Sequence, residues 1–360
     1  ALALYSMNNK ALVAMSGGVD SSVAAYLALE RGFCCAGVTM KLFNGEAGGG
    51  SAKSCCSLSD VNDARDVAYR LKIPHYVLNF KERFETDVIS KFIRVYEEGG
   101  TPNPCIDCNR YLKFNMLLLR ARELDFDFLV TGHYVRIEKQ NNRYLLLKAR
   151  DLKKDQSYVL YMLNQEQLAR IIFPLGDLNK NEVRSIAHRQ NFITADKKDS
   201  QDICFVPDGD YGAFIERRLQ KKYPCGDILD INGNVIGSHK GFIRYTKGQR
   251  RGLGVSNKGP LYVCDKSPLN NTITLGSEAM LYTKHLIVND INLIAEDSIT
   301  APIHVSVKTR YMQKEKAAVV EQIDNGKLRI EFDFPEKAVT PGQAAVLYDG
   351  DVVIGGGTIV

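Results

Sequence analysis

Through the first two hundred residues, short apolar runs alternate with segments in which apolar positions recur at helical spacing. Residues 11–15 form an unbroken apolar run, which predicts a buried strand, and a Ser-Gly-Gly turn leads into a helical pattern over 22–31 that stops at Gly32. Strand-like runs return at 33–42, 75–80 and 126–131, and helical ones at 82–97 and 109–124. Ser57-Leu58-Ser59-Asp60 has the form of a capping box opening a helix to about residue 72. Such alternation predicts an α/β unit, a parallel sheet with helices on both faces.

The texture changes near residue 207. Short β-rich runs at 227–231, 272–275, 303–310, 327–332 and 344–348 take over, separated by Gly, Asn and Pro. Asn232-Gly233 between apolar runs is a strong hairpin signal. The predicted division is 7–207 for the α/β unit, 208–282 for a small β-rich unit and 283–360 for a barrel-like unit, the last two antiparallel. Gly48-Gly49-Gly50 predicts a mobile loop.

Composition narrows the class. With 45% hydrophobic and 25% charged residues, the 360-residue chain has the make-up of a globular protein rather than a disordered tail. No run approaches ~18 apolar residues, so no membrane span is expected. The first residues lack a secretory pattern, and Ala1 to Ser6 read as an extension before Met7; the expected location is cytoplasmic.

A net charge of +5 does not make a nucleic-acid binder. Its distribution says more: Lys240, Arg244, Lys247, Arg250, Arg251 and Lys258 fall in a stretch without a single acid. That stretch reads either as a solvated face or as a phosphate-contacting patch. Nine cysteines without an export signal argue against a disulfide scaffold and for thiol chemistry or a metal site. Cys34 and Cys35 lie in a strand-like run and are expected to be small buried hydrophobes, while Cys55 and Cys56 are open to a part in sulfur relay. Of the histidines, His133 alone lies in a motif.

Candidate chemistry starts at Ser16-Gly17-Gly18-Val19-Asp20-Ser21-Ser22, between the first strand and the first helix. Glycines there let an anion approach the backbone, the serines add donors, and the helix start supplies N–H groups at its positive end. This phosphate cradle is neither the P-loop nor the dinucleotide fingerprint.

The segment resembles the pyrophosphate-binding loop of the N-type ATP pyrophosphatases, which adenylate a substrate and release pyrophosphate. Thr101-Pro102-Asn103-Pro104-Cys105-Ile106-Asp107-Cys108-Asn109, followed by Lys113-Phe114, is similar to the TPNPxxxCNxxxKF segment of the tRNA-specific 2-thiouridylases. Thr131-Gly132-His133-Tyr134, Lys154-Asp155-Gln156-Ser157-Tyr158, the stretch from Ser200 to Phe205 and Gly248-Gln249-Arg250-Arg251-Gly252-Leu253 resemble other signatures of that family, in the same order. The resemblance runs from about Met7 to Val360.

The resemblance implies that Ala14, Met15, Ser16, Gly17, Gly18, Val19, Asp20 and Ser21 hold the ATP phosphates, with Met40 and Gly132 near the adenosine. Cys204 becomes the persulfide carrier and Cys108 its partner, the two closing a disulfide once sulfur has left. Asn103, Pro104 and Cys105 are implied beside the target base. His133, Lys154, Asp155, Gln156, Arg310, Tyr311 and Gln343 are implied on the tRNA, whose wobble uridine in the glutamate, glutamine and lysine species is the substrate. Mg2+ accompanies the phosphates, with Asp20 a candidate contact, and a cysteine desulfurase or sulfur-relay protein supplies sulfur.

One position departs from the family. Many members carry Asp where this chain has Cys105, so Asp107 or water is left to take that carboxylate's place. A [4Fe–4S] cluster on Cys105, Cys108 and Cys204 stays open as a second route to the same product. Another ATP pyrophosphatase activity, or an RNA-binding protein without catalysis, would keep the glycine turn or the basic stretch alone.

Overall fold

The computed structural model describes residues 9–43, 58–198, 203–206, 208–257, 259–324 and 326–360. The expected glycine loop, Cys55, Cys56, the Ser57 cap and Ser200 to Asp202 lie outside these residues.

In chain order the first part holds β1 (Lys10–Ala14), α1 (Val19–Glu30), β2 (Cys34–Lys41), α2 (Leu58–Arg70) and β3 (His75–Asn79). Helix α3 runs from Lys81–Phe84 through a π-wound turn, Glu85–Ile89, into Ser90–Glu97. Helix α4 likewise runs from Pro104–Asp107 through π-wound Cys108–Met116 into Leu117–Glu123. Then come β4 (Phe128–Val130), β5 (Val135–Gln140), β6 (Arg143–Lys148), the single turn α5 (Gln165–Leu168), β7 (Ile171–Ile172), α6 (Lys180–Arg189) and α7 (Tyr211–Leu219).

Five of these strands form a parallel sheet in the order β3-β2-β1-β4-β7. Side chains alternate across it: Leu12 and Leu129 join the core under α3 and α4, whereas Ala11, Val13 and Val130 join the core under α1, α2 and α6. Both faces are covered, as the sequence predicts. Strand order reverses between β1 and β4, and the crevice outside their carboxyl ends is where such sheets bind ligands. The glycine turn follows β1, and Thr131-Gly132-His133 follows β4.

The β-rich remainder contains β8 (Gly226–Leu229), β9 (Val235–His239), β10 (Tyr262–Ser267) and β11 (Thr272–Gly276) in one small sheet, order β10-β11-β8-β9. Its β8–β9 hairpin turns through Asn232-Gly233 as expected, but β8 and β11 run parallel. The long connection between them allows that crossing, so the unit is mixed rather than antiparallel. Strands β12 (Tyr282–Leu293), β13 (Ile303–Lys308), β14 (Lys316–Asp324), β15 (Lys327–Lys337), β16 (Ala344–Asp349) and β17 (Val352–Ile359) close on themselves through the β12–β17 pairing. Among the described residues this antiparallel barrel has six strands around its own core. The β5–β6 hairpin of the first part adds to β17, where Val352 pairs with Leu147.

Two local expectations change. Helix α1 begins at Val19 rather than 22, and α4 at Pro104 rather than 109, with proline in the first turn where its missing N–H costs nothing. Cys34 is exposed, because it is the first residue of β2, while Cys35 is buried as expected.

Candidate active site

The chain leaves β1 at Ala14 and turns through Met15, Ser16, Gly17 and Gly18 into α1. Gly17 has φ +72°, and a Cβ there would sit 2.2 Å from the Asp60 carbonyl oxygen, so the turn requires glycine on both counts. Gly18 is the N-cap, without a capping side chain. The Ser21 and Ser22 hydroxyls each donate to the Gly18 carbonyl at 2.9 Å, and the Ser16 N–H donates to Ser21 Oγ at 3.2 Å. Thr39 Oγ1 donates to the Met15 carbonyl at 2.7 Å, fixing the turn to β2 beside Met40. From β4, Gly132 presses on the same turn: its Cβ would lie 2.7 Å from the Asp20 carbonyl carbon and 2.8 Å from the Ser21 nitrogen. Val19 and Asp20 open α1 itself. The glycine turn, Thr39 beside Met40, and Gly132 therefore meet at the carboxyl ends of β1, β2 and β4, with the positive end of α1 beside them.

Asp20 is not an open carboxylate. Lys180 Nζ donates to its two oxygens at 2.7 and 2.8 Å, and Tyr134 Oη donates at 2.7 Å. A Mg2+ ion would have to displace Lys180 to reach it, so Asp20 does not fit that role in this arrangement. Two further ties hold the turn from behind. Lys197 Nζ donates to the Gly17 carbonyl at 2.9 Å and to Asp60 and Asp63 at 2.6 and 2.5 Å, and Thr194 Oγ1 donates to Ser22 Oγ at 3.0 Å.

The run after β4 is laced to the run at 154–157. Tyr134 N–H donates to Gln156 Oε1 at 2.9 Å, and Gln156 N–H donates to the Tyr134 carbonyl at 3.0 Å. Asp155 is buried and accepts from the N–H groups of Ala149 and Ser157 and from Ser157 Oγ. In this arrangement it shapes the loop that presents half-buried Lys154 and turns no acceptor outward. His133 is buried between Phe114 and Phe173, 2.7 Å from Thr131 Oγ1 and 3.5 Å from Lys113 Nζ. Burial first, and the Lys113 charge second, hold its pKa well below the ordinary value, so the imidazole is neutral and packs inside the protein between the two phenyl rings.

Cys105 and Cys108 lie one turn apart on α4, the first exposed and the second half-buried. Asp107 between them is buried and bonded to Lys91 Nζ at 2.7 Å. Burial raises its pKa, against the opposing pull of Lys91. It is turned into the protein, so it does not supply the carboxylate that Cys105 replaces. From the barrel, Gln343 Nε2 donates to the carbonyls of Thr101 and Pro102 at 2.9 and 3.2 Å, which fixes the loop carrying Asn103 and Pro104. The Arg310 guanidinium is held by the Ala338 carbonyl and by Thr340 Oγ1. Tyr311 packs at 6.1 Å from the Tyr158 ring, and burial, then Asp155 and Cys105, push its phenol up to about 12.

Cys204 is half-buried, and Phe205 beside it wedges among Phe84, Phe92 and Phe214 at 5.1–5.7 Å. Cys108 and Cys204 border the same hydrophobic core, and no disulfide joins them in this structure. Among the described residues, no three of His, Cys, Asp and Glu stand where they could hold a metal ion. Cys105, Cys108 and Cys204 are therefore not assembled as an iron–sulfur ligand set. In the basic stretch, Arg244 is neutralised by Asp210 and Glu216, whereas Arg250 and Arg251 are exposed.

Comparison with known proteins bears on this arrangement. The family model described as the tRNA methyl transferase HUP domain matches residues 9–208; those for the tRNA methyl transferase PRC-barrel domain and the aminomethyltransferase beta-barrel domain match 212–277 and 283–359. The tRNA-specific 2-thiouridylase MnmA 1 of Caldanaerobacter subterraneus is 48% identical over 357 residues, 98% of each chain. The chain belongs to the tRNA-specific 2-thiouridylase family. Its relatives of that name in Clostridioides difficile (46% over 98% of each chain) and Acetivibrio thermocellus (48% over 97% of this chain and 99% of that one) match end to end as well. Within this 2-thiouridylase, no helix among the described residues is long and apolar enough to cross a membrane.

Sequence reasoning missed the cations around the turn. Lys180 is the first residue of α6, after the Asn179 cap, where a positive charge opposes the helix dipole. A lysine in that unfavourable place was the available signal for a partner elsewhere. Lys197 sits in a charged run with nothing to single it out.

Proposed function

We propose that this protein replaces the C2 oxygen of the wobble uridine in glutamate, glutamine and lysine tRNAs with sulfur, at the expense of ATP. ATP occupies the crevice at Ala14 to Ser21 with its adenosine toward Met40 and Gly132, and Mg2+, when bound, neutralises the phosphates. The uridine C2 oxygen attacks the α-phosphorus, pyrophosphate leaves, and the C2 oxygen becomes part of an AMP leaving group. The terminal sulfur of a Cys204 persulfide adds at C2, and AMP departs. The Cys108 thiolate then attacks Cys204 Sγ, leaving 2-thiouridine and a Cys108–Cys204 disulfide that external thiols reduce in the cytoplasm. A cysteine desulfurase, directly or through a relay protein, recharges Cys204.

The observation that supports this reading is the convergence of the glycine turn and Gly132 at the carboxyl ends of β1 and β4, in a chain whose full-length relatives are named for thiolation. The test is incubation with ATP, unmodified tRNA and a persulfide donor, followed by digestion to nucleosides. Wild-type protein is expected to yield 2-thiouridine and AMP, and none under either persulfide or sulfide supply refutes the function. Cys204→Ala is expected to lose thiolation while still adenylating tRNA; loss of both would show that the two steps are not separated as described.

A further inference from the structure

Lys308 ends β13, and its side chain is half-buried against the 157–159 segment of the α/β part. Its ammonium lies 6.0 Å from the centre of the Tyr158 ring and 5.9 Å from that of Tyr311. Among the described residues this ammonium has no hydrogen-bond or ion-pair partner. The two carboxylates in its field are committed elsewhere. Asp155 serves Ala149 and Ser157, and Glu315 is 2.7 Å from Lys148 Nζ. Lys148 itself is closed off by Glu315, the Gly350 carbonyl and the Tyr348 ring.

A half-buried cation without an anion is costly, and two aromatic faces return part of that cost without neutralising the charge. Burial accordingly lowers the Lys308 pKa. The site also has a direction: Tyr158, under the same ammonium, donates to the Ala344 carbonyl, and the adjoining Gln343 holds the Thr101 and Pro102 carbonyls of the loop implied beside the target base. An anion arriving here is assigned to the RNA strand that bears the uridine, since the loop implied beside that base is tied to the Tyr158–Ala344 contact through Gln343.

We propose that Lys308 binds a phosphodiester of the tRNA strand next to the target uridine, and so positions that nucleotide over Cys105. The inference rests on tRNA being the substrate, so wild-type binding is measured first: no tRNA binding at all refutes the function, whereas the comparisons below address Lys308 alone. Binding of an anticodon stem-loop is titrated against salt for wild type, Lys308→Met and Lys308→Arg. Each lost single-strand or duplex phosphate contact lowers the slope of log K against log salt by about 0.7–0.9, an affinity loss of about five- to tenfold near 0.1 M. Lys308→Met is expected to show that drop and Lys308→Arg to restore the slope. An unchanged slope in Lys308→Met overturns the assignment. ATP affinity is the second arm: a fall there with the tRNA slope intact assigns the cation to the nucleotide and equally overturns it. Wild-type protein tested with stem-loops carrying one methylphosphonate at a time is independent of any folding defect. One linkage flanking the uridine is expected to weaken binding five- to tenfold, and indifference at every position overturns the proposal.

Discussion

Gly132→Ala is the sharpest perturbation of the nucleotide crevice. The added carbon would lie 2.7 Å from the Asp20 carbonyl carbon, 2.8 Å from the Ser21 nitrogen and 2.9 Å from the Asp20 oxygen. All three are backbone atoms in the first turn of α1, so no side chain can swing aside. Ordinary contact begins near 3.4 Å, and either β4 or the turn must therefore move by about 0.7 Å. Overpacking of this kind costs about 1–3 kcal/mol. At about 2–4 °C of Tm per kcal/mol for a unit of this size, the melting temperature should fall by about 2–12 °C. The catalytic effect should be larger, because a displacement approaching 1 Å of a positioning element lowers rates by about a hundredfold.

Adenylation, followed as tRNA-dependent pyrophosphate release, should thus drop about ten- to a hundredfold in Gly132→Ala while tRNA affinity holds. Gly32→Ala separates stability from position. Gly32 has φ +84° and nothing within 4 Å of the added carbon, so that variant loses about 1–2 kcal/mol of backbone energy without touching the turn. It should melt lower and adenylate normally. If Gly132→Ala adenylates like wild type, the close approach of β4 does not set the turn.

His133 predicts a pH dependence of stability. Its pKa in the fold is held below 6.5 by burial and then by Lys113, so the unfolded chain takes up a proton that the folded one refuses. Stability is complete above pH 6.5 and declines as pH falls below it, by at most about 1.4 kcal/mol per unit. His75, lowered by burial and Arg65, acts in the same direction. Urea unfolding between pH 5 and 7.5 should give a shallower decline for His133→Asn than for wild type, and equal slopes would contradict the buried neutral imidazole. Lys197→Met removes the donor to Gly17, Asp60 and Asp63 and should destabilise by about 1–3 kcal/mol while weakening ATP binding. Calorimetry with a non-hydrolysable ATP analogue checks this, and unchanged affinity would mean that the clamp does not shape the turn.

What the sequence discloses is what neighbouring residues decide among themselves. The β1–turn–α1 unit and the β8–β9 hairpin are legible because apolar run, glycine and helix start stand side by side. The β5–β6 hairpin carries its own signal, Asn141-Asn142 with φ +45° and +65°, between two alternating runs. A reading built on strand–helix alternation passes over it, and its partner β17 lies some two hundred residues on. The two-residue β7 is too short to make a pattern. The ties that finish the site join residues 160, 180 and 242 apart: Lys180 to Asp20, Lys197 to Gly17, Gln343 to Thr101. No spacing rule reaches that far. Asp107 shows the opposite failure, since one place in a motif left open whether it faces Cys105 or Lys91, and only packing decides.

Those long ties also bear on how a base meets both ends of the chemistry. The barrel is fastened to the α/β part by the β17–β6 pairing, by Arg136 to Asp351 at 2.8 Å and by Arg143 to the Ile294 carbonyl at 2.7 Å. It is fastened again at the site itself, by Arg110 to Asp290, Tyr158 Oη to the Ala344 carbonyl and Gln343 to the Thr101 loop. A barrel held at so many separated points does not rotate freely, so the Thr101 loop and the barrel edge it meets form one packed body. A uridine stacked in an anticodon loop cannot reach a turn pressed between β1 and β4 without leaving its neighbours, at a cost of a few kcal/mol. Under the proposed function the compensation has to come from contacts made as the base leaves the stack, and Gln343, which holds the Thr101 and Pro102 carbonyls, puts the barrel beside the loop proposed to receive it.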